Sequence, residues 1–157
     1  MLPYRERLTP SVWIYLSTAL VIPASLLVFL PISPLAGVIT AVVLYCGAVA
    51  TLVFTSPVIE VDVSQVTAGR ARLPVGFAGD SAAFRGAAAT LERGRQLDAR
   101  AWVVIRGWVD PVVKITVLDA EDPAPYWLVS SRAPERMIAA INAARDEAAD
   151  RAKPQNT

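Results

Sequence analysis

Between Arg7 and Glu60 the chain carries no Asp, Glu, Lys or Arg, and this gap constrains the fold more than any other feature. Two apolar runs occupy it, at residues 11–30 and 35–54, with Pro31-Ile32-Ser33-Pro34 between them. A helix that crosses the ~30 Å hydrocarbon core of a bilayer needs roughly 20 apolar residues. The gap therefore predicts a hairpin of two transmembrane helices joined by a tight external turn. A cleaved signal peptide does not fit. The first run is too long for a signal core and continues past Ala24-Ser25 as Leu-Leu-Val-Phe-Leu.

Charge sets the expected orientation. Arg5 and Arg7 precede the first run, Arg70 and Arg72 follow the second, and the connection is uncharged. Basic residues collect in short cytoplasmic segments, so both termini are expected in the cytoplasm of a multi-pass protein of the plasma (inner) membrane. Tyr4, Trp13 and Tyr15 fall where an interfacial aromatic belt is expected, and Pro23 is expected to kink the first span. Ala36, Gly37, Ala41, Gly47, Ala48 and Ala50 offer small surfaces for close helix contact, and Thr40, Tyr45 and Thr51 are candidates for hydrogen bonds across the hairpin. The absence of intramembrane charge argues against an ion path, a proton relay or a voltage sensor.

The rest of the 157-residue chain suffices for one small domain. The expected division is 1–57 for the hairpin, 58–150 for a cytoplasmic β-rich domain and 151–157 for a disordered tail. A formal net charge of +1 argues against an extended nucleic-acid surface. Cys46 is the lone cysteine, which excludes an intrachain disulfide, and the lack of histidine removes the commonest general base and a common metal ligand.

Val58-Ile59-Glu60-Val61-Asp62-Val63 alternates as a half-buried strand does. Residues 66–73 read as a second strand in which Gly69 marks a bulge or bend. A break at 74–80 precedes an Ala-rich stretch, 81–101, with a short helix between Gly86 and Gly94. Strand signals return at 102–105, 112–118 and 126–130, with a turn cluster at 119–125. Pro134 suits the first position of a closing helix, whose apolar stripe runs through Met137, Ile141, Ala144 and Ala148, with Ile138 beside it. The fold class expected is membrane α+β: a transmembrane hairpin, then a small antiparallel β-rich domain closed by a C-terminal helix. That order resembles bacterial pleckstrin-homology-like domains.

Local motifs carry a second resemblance. Tyr4-Arg5-Glu6-Arg7, Ala68-Gly69-Arg70-Ala71, Asp98-Ala99-Arg100-Ala101, Arg106-Gly107-Trp108-Val109 and Asp119-Ala120-Glu121-Asp122-Pro123 lead to Pro125-Tyr126-Trp127-Leu128-Val129-Ser130-Ser131-Arg132-Ala133-Pro134-Glu135. Together these resemble the domain of unknown function 3093 family, two-span membrane proteins of actinobacteria. The resemblance implies architecture and location, and no catalytic residue or cofactor.

Each candidate residue has a competing structural role. Asp119, Glu121 and Asp122 fit a solvated turn better than Ca²⁺, which needs six to eight oxygens from a longer loop. Tyr126 and Trp127 fall on opposite faces of one strand, so one ring is expected in the core and the other exposed or under the helix. Trp108 is placed to join the exposed ring in a contact surface. Ser130, Ser131 and Arg132 lie where a helix start is either capped by serine or binds an anion. Arg70, Arg72, Arg85, Arg93, Arg95, Arg100 and Arg106 either seat the domain on an anionic leaflet or are scattered solvated charge.

No catalytic or metal-binding motif is present in the sequence. The leading expectation is a non-catalytic, membrane-tethered module that binds a membrane or cytoplasmic protein partner, or a second copy. Its candidate contacts are Arg70, Arg72, Arg106, Trp108, Tyr126, Trp127, Ser131 and Arg132. Recognition of anionic lipid is the alternative, and an accessory role to a transporter or membrane enzyme is a third.

Overall fold

The computed structural model describes residues 4–152 and divides into two compact units, residues 9–56 and residues 1–8 with 57–157. The first unit is the apolar hairpin. Helices α1 (Val12–Ala19) and α2 (Val21–Phe29) form one interrupted rod, and α3 (Pro34–Phe54) returns beside it. Both arms are long and apolar enough to cross a membrane, with mean hydropathies of 2.1 and 2.2. The first arm breaks at Leu20 because Pro23, lacking an N–H, cannot bond the Ala19 carbonyl four residues back. Ser33 caps α3 by accepting from the Ala36 N–H at 3.4 Å, with Pro34 in the first turn.

Small residues make the seam of this hairpin. A Cβ at Gly37 would stand 3.4 Å from both Leu26 Cδ2 and Phe29 Cβ, and Ala41 and Ser25 are buried. Gly47 faces open space instead. The Thr51 hydroxyl, a candidate for a bond across the hairpin, bonds the Gly47 carbonyl of its own helix at 2.8 Å. Back-bonding of this kind is the nearest option for a helical threonine.

The second unit contains two four-stranded sheets and two helices. Sheet A runs β1 (Tyr4–Arg7), β2 (Val58–Val61), β3 (Gln65–Ala68), β4 (Ala71–Pro74), all antiparallel. Its first strand corrects the expected boundary at residue 57: residues 4–8 belong to the β-rich unit, not to the hairpin. Tyr4 pairs with Val61 and Arg7 with Val58, and the Leu8 N–H reaches the Pro57 carbonyl at 3.0 Å. Four residues are too few for a periodicity signal, so nothing local announced this strand. The stretch 66–73 is not one bent strand either. Gly69, at φ +64°, is the first residue of a two-residue turn that folds β3 back onto β4.

Sheet B has the order β5 (Ala78–Phe84), β7 (Val112–Val117), β8 (Tyr126–Ser130), β6 (Trp102–Val104), after a short 3₁₀ turn at Val75–Phe77. β5 lies partly in the stretch expected to be a break. The β6–β8 pair is parallel, which departs from the all-antiparallel expectation. The link from β6 to β7 leaves one strand's width between them, and β8 fills it while running against β7.

Helix α5 (Pro134–Ala152) begins at the expected proline and extends through Arg151 and Ala152, where a tail was expected. The remainder of that tail, 153–157, lies outside the described residues. Met137, Ile141 and Ala144 are fully buried with Ile59, Val61 and Val66 of sheet A and Val113, Ile115, Trp127 and Val129 of sheet B. A second cluster forms on the other face of sheet B. There α4 (Gly86–Arg93) and the following loop cover Val112, Tyr126 and Leu128 with Ala89, Leu97 and Ala101.

Candidate functional site

The most connected polar group of the β-rich unit lies where β1 meets the start of α5. Alternation along β1 turns Tyr4 and Glu6 inward and leaves Arg5 and Arg7 exposed. The Tyr4 and Ser131 hydroxyls both donate to Glu6 Oε2, at 2.6 and 2.8 Å, and stand 2.9 Å from each other. Glu6 Oε1 accepts the Arg132 N–H at 3.0 Å, with the Arg132 guanidinium 3.7 Å away. Ser131 Oγ accepts the Ala133 N–H at 3.1 Å. Burial, reinforced by the hydrogen bond to Glu6, pushes the Tyr4 phenol from its ordinary 10.0 up to about 12. The place read as a cap or an anion site thus holds an anion from within the chain. The Glu6 carboxylate occupies the favourable start of α5.

The eight predicted contact residues do not converge. Tyr126 and Trp127 do lie on opposite faces of β8, but both are buried, at 9% and 3% exposure. The Tyr126 ring lies under α4, where its hydroxyl accepts the Asp98 N–H at 2.7 Å and donates to the Gln96 carbonyl at 3.3 Å. Lys114 Nζ sits 4.3 Å from the centre of that ring and 2.9 Å from the buried Glu92 carboxylate. Trp127 packs 6.4 Å from Trp102, within the main core. Trp108 is half-buried against that core, and its indole N–H is enclosed without an acceptor among the described residues. Arg106 is half-buried; its backbone N–H donates to Ser130 Oγ at 3.1 Å and its guanidinium to the Ile105 carbonyl at 3.0 Å.

Five other arginines of the expected basic set separate into two groups, and Arg95 stands exposed. Arg85, Arg93 and Arg100 pair with Glu135, Asp110 and Asp98 at 2.6, 3.1 and 3.0 Å. The Arg100 hydrogen bonds hold the Asp98 carboxyl below its usual range. Arg70 and Arg72 instead stand exposed around the β3–β4 turn, Arg70 with its guanidinium 5.5 Å from the centre of the Trp102 ring. The acidic turn is closed by its own side chains: Asp119 accepts the Glu121 N–H at 3.0 Å and Asp122 the Ala124 N–H at 2.8 Å.

A cleft of about 650 Å³ was not legible in the sequence. Val75, Ala78, Leu118 and Ala148 give it an apolar floor, and Asn142, Arg145 and Asp146 of α5 give it a polar wall. Arg145 is held there by a 3.3 Å bond to the Gly79 carbonyl. Phe77 and Leu118 remain 43% and 58% exposed beside it. The only sequence signal was the apolar Val75 and Ala78 within the segment read as a break.

The fold defines a class: a hairpin of two apolar helices inserted between the first two strands of a β-rich unit. The chain belongs to the DUF3093 family, proteins of unknown function, whose family model matches residues 3–141. The match includes the Glu6 knot and ends before Asn142, Arg145 and Asp146 of the cleft. No curated protein and no solved structure matches the chain.

Proposed function

We propose that this is an integral two-pass protein of the plasma (inner) membrane, with both termini cytoplasmic, whose β-rich unit is a non-catalytic module that binds a protein partner or organises a membrane complex. One observation carries the reading: the hairpin leaves and re-enters the β-rich unit through adjacent, hydrogen-bonded strands, β1 and β2. Two arms that begin at paired strands return to the same side of a bilayer. The apolar arms support insertion, since only 6% and 11% of their residues are buried within the protein. A soluble core helix buries far more of its apolar surface. Arg5, Arg7, Arg70 and Arg72 flank the spans and favour the cytoplasmic side. Two sheets closed by α5 support the pleckstrin-homology-like reading of the unit.

The cleft beside α5 offers a place for the partner. Its size falls in the range of ~300–1,000 Å³ typical of ligand pockets, and its apolar floor with a polar wall suits an apolar side chain on a polar segment. It adjoins the β2–β3 turn through the 2.9 Å bond from the Val75 N–H to the Ser64 carbonyl. That end of sheet A is opposite the one from which the chain leaves for the spans. Crosslinking in native membranes from a photoreactive residue at Leu118 is expected to capture a discrete partner or a second copy, and tags at both termini should resist protease in intact cells. Cleavage of either tag from outside would refute the orientation. Absence of any crosslink at native expression would refute the partner.

A further inference from the structure

We infer that the outer face of sheet A and the β3–β4 turn at its end form a leaflet-binding surface, on which Arg5, Arg70 and Arg72 hold anionic lipid headgroups. This rests on the membrane-inserted reading above. The inner face of the sheet is committed to the core through Tyr4, Ile59, Val61, Val66, Ala68 and Leu73. The outer face is polar, and its charge is sorted along the strands.

The sorting follows from the register. Arg7 pairs with Val58, and the Gly69 N–H bonds the Val58 carbonyl at 3.0 Å, so Arg7 and the turn residue Arg70 share the end of the sheet from which both connections to the hairpin leave. One rung further in, Arg5, Glu60, Thr67 and Arg72 lie side by side across the four strands. Asp62 stands at the opposite end, where its carboxylate accepts the Val63 N–H at 2.7 Å. All four arginines are exposed. The cationic rim therefore lies on the part of the unit that chain connectivity ties to the spans, and the acids lie in or beyond the second rung. Charge complementarity selects an anionic leaflet as the occupant. A nucleic acid or an acidic protein would not need the arginines gathered at the span end.

The full-length protein with Cys46→Ala and Thr67→Cys, labelled at residue 67 and placed in nanodiscs containing a headgroup-labelled quencher, tests this directly. Quenching is expected to rise when phosphatidylserine replaces part of the phosphatidylcholine, and to fall at high salt. Each of Arg5→Gln, Arg70→Gln and Arg72→Gln should lower the ratio of seated to unseated molecules about fivefold, and lysine at the same position should restore most of it. A label at Asn142→Cys should respond to neither lipid charge nor salt. Quenching at residue 67 that ignores both would overturn the proposal, as would glutamine variants that behave as the parent does. If a variant fails to fold, the lipid and salt dependence of the parent still decides. A change that appears only on adding cytosolic protein would assign the face to a partner and overturn leaflet binding. Loss of leaflet binding with retained crosslinks from Leu118 would leave the partner reading intact.

Discussion

Glu6 is the centre of the polar knot that ties β1 to the start of α5. It accepts two hydroxyls and one backbone N–H, and its side chain is only 13% exposed. Glu6→Ala leaves those donors without their acceptor and is expected to cost about 1–3 kcal/mol, read from denaturant unfolding in mild detergent. Tyr4 gives the same knot a pH signature. Its phenol titrates near 12 in the folded protein against 10.0 ordinarily, chiefly through burial and then through Glu6. The folded state thus favours the neutral form. This contribution is complete below pH 10 and is lost as pH rises through 12. The unfolding midpoint of the parent should fall more steeply than that of Tyr4→Phe over that interval, and equal slopes would contradict the assignment. None of this was visible at residue 6, because Tyr4 and Ser131 are 127 positions apart. The serine-before-helix pattern did indicate where an anion would be favourable. It could not indicate that the anion would come from the strand ahead of the first span.

At the scale of elements, α4 shows how a stretch with weak local signals acquires a role. Its helix was legible from alanine propensity between two glycines, but its purpose was not. α4 and the loop after it cover the face of sheet B opposite α5, and so β8 is buried along its whole length. Of the two expectations for the second ring of Tyr126-Trp127, exposed or under the closing helix, neither holds as stated: Tyr126 is buried, but beneath α4. Alternation sorts side chains between two faces, and only the packing decides whether both faces are covered. The Glu92–Lys114 pair holds this cover, so Glu92→Ala should cost about 2 kcal/mol by stranding the lysine over Tyr126. Replacing both together, as Glu92→Leu with Lys114→Met, should cost less than the single change. A double-mutant cycle on unfolding free energies measures the difference, and additive losses would show that the pair does not act as a unit.

For the whole molecule, the β-rich unit is drawn from both sides of the hairpin: β1 precedes the spans in sequence and lies beside β2 in space. Deleting residues 1–8 removes a sheet edge and the Glu6 knot together. The β2 ladder should then lose hydrogen-exchange protection and the chain should aggregate on extraction, while the spans still insert. Retained protection at residues 58–61 would show that β1 is dispensable. The sequence by itself determined the two apolar arms, their connection, the helix starting at Pro134 and the strands with clear alternation or β-branched runs. Each of these is a signal contained within one segment, set by hydrophobic period, length or the fixed geometry of proline. Tertiary structure alone decided that residues 4–7 close sheet A, that β8 inserts between β6 and β7, that a cleft opens beside α5, and that four arginines from two strands and a turn gather toward one end of sheet A. Those outcomes depend on pairing between distant strands and on which surfaces are left to cover, and no local window of the chain encodes either.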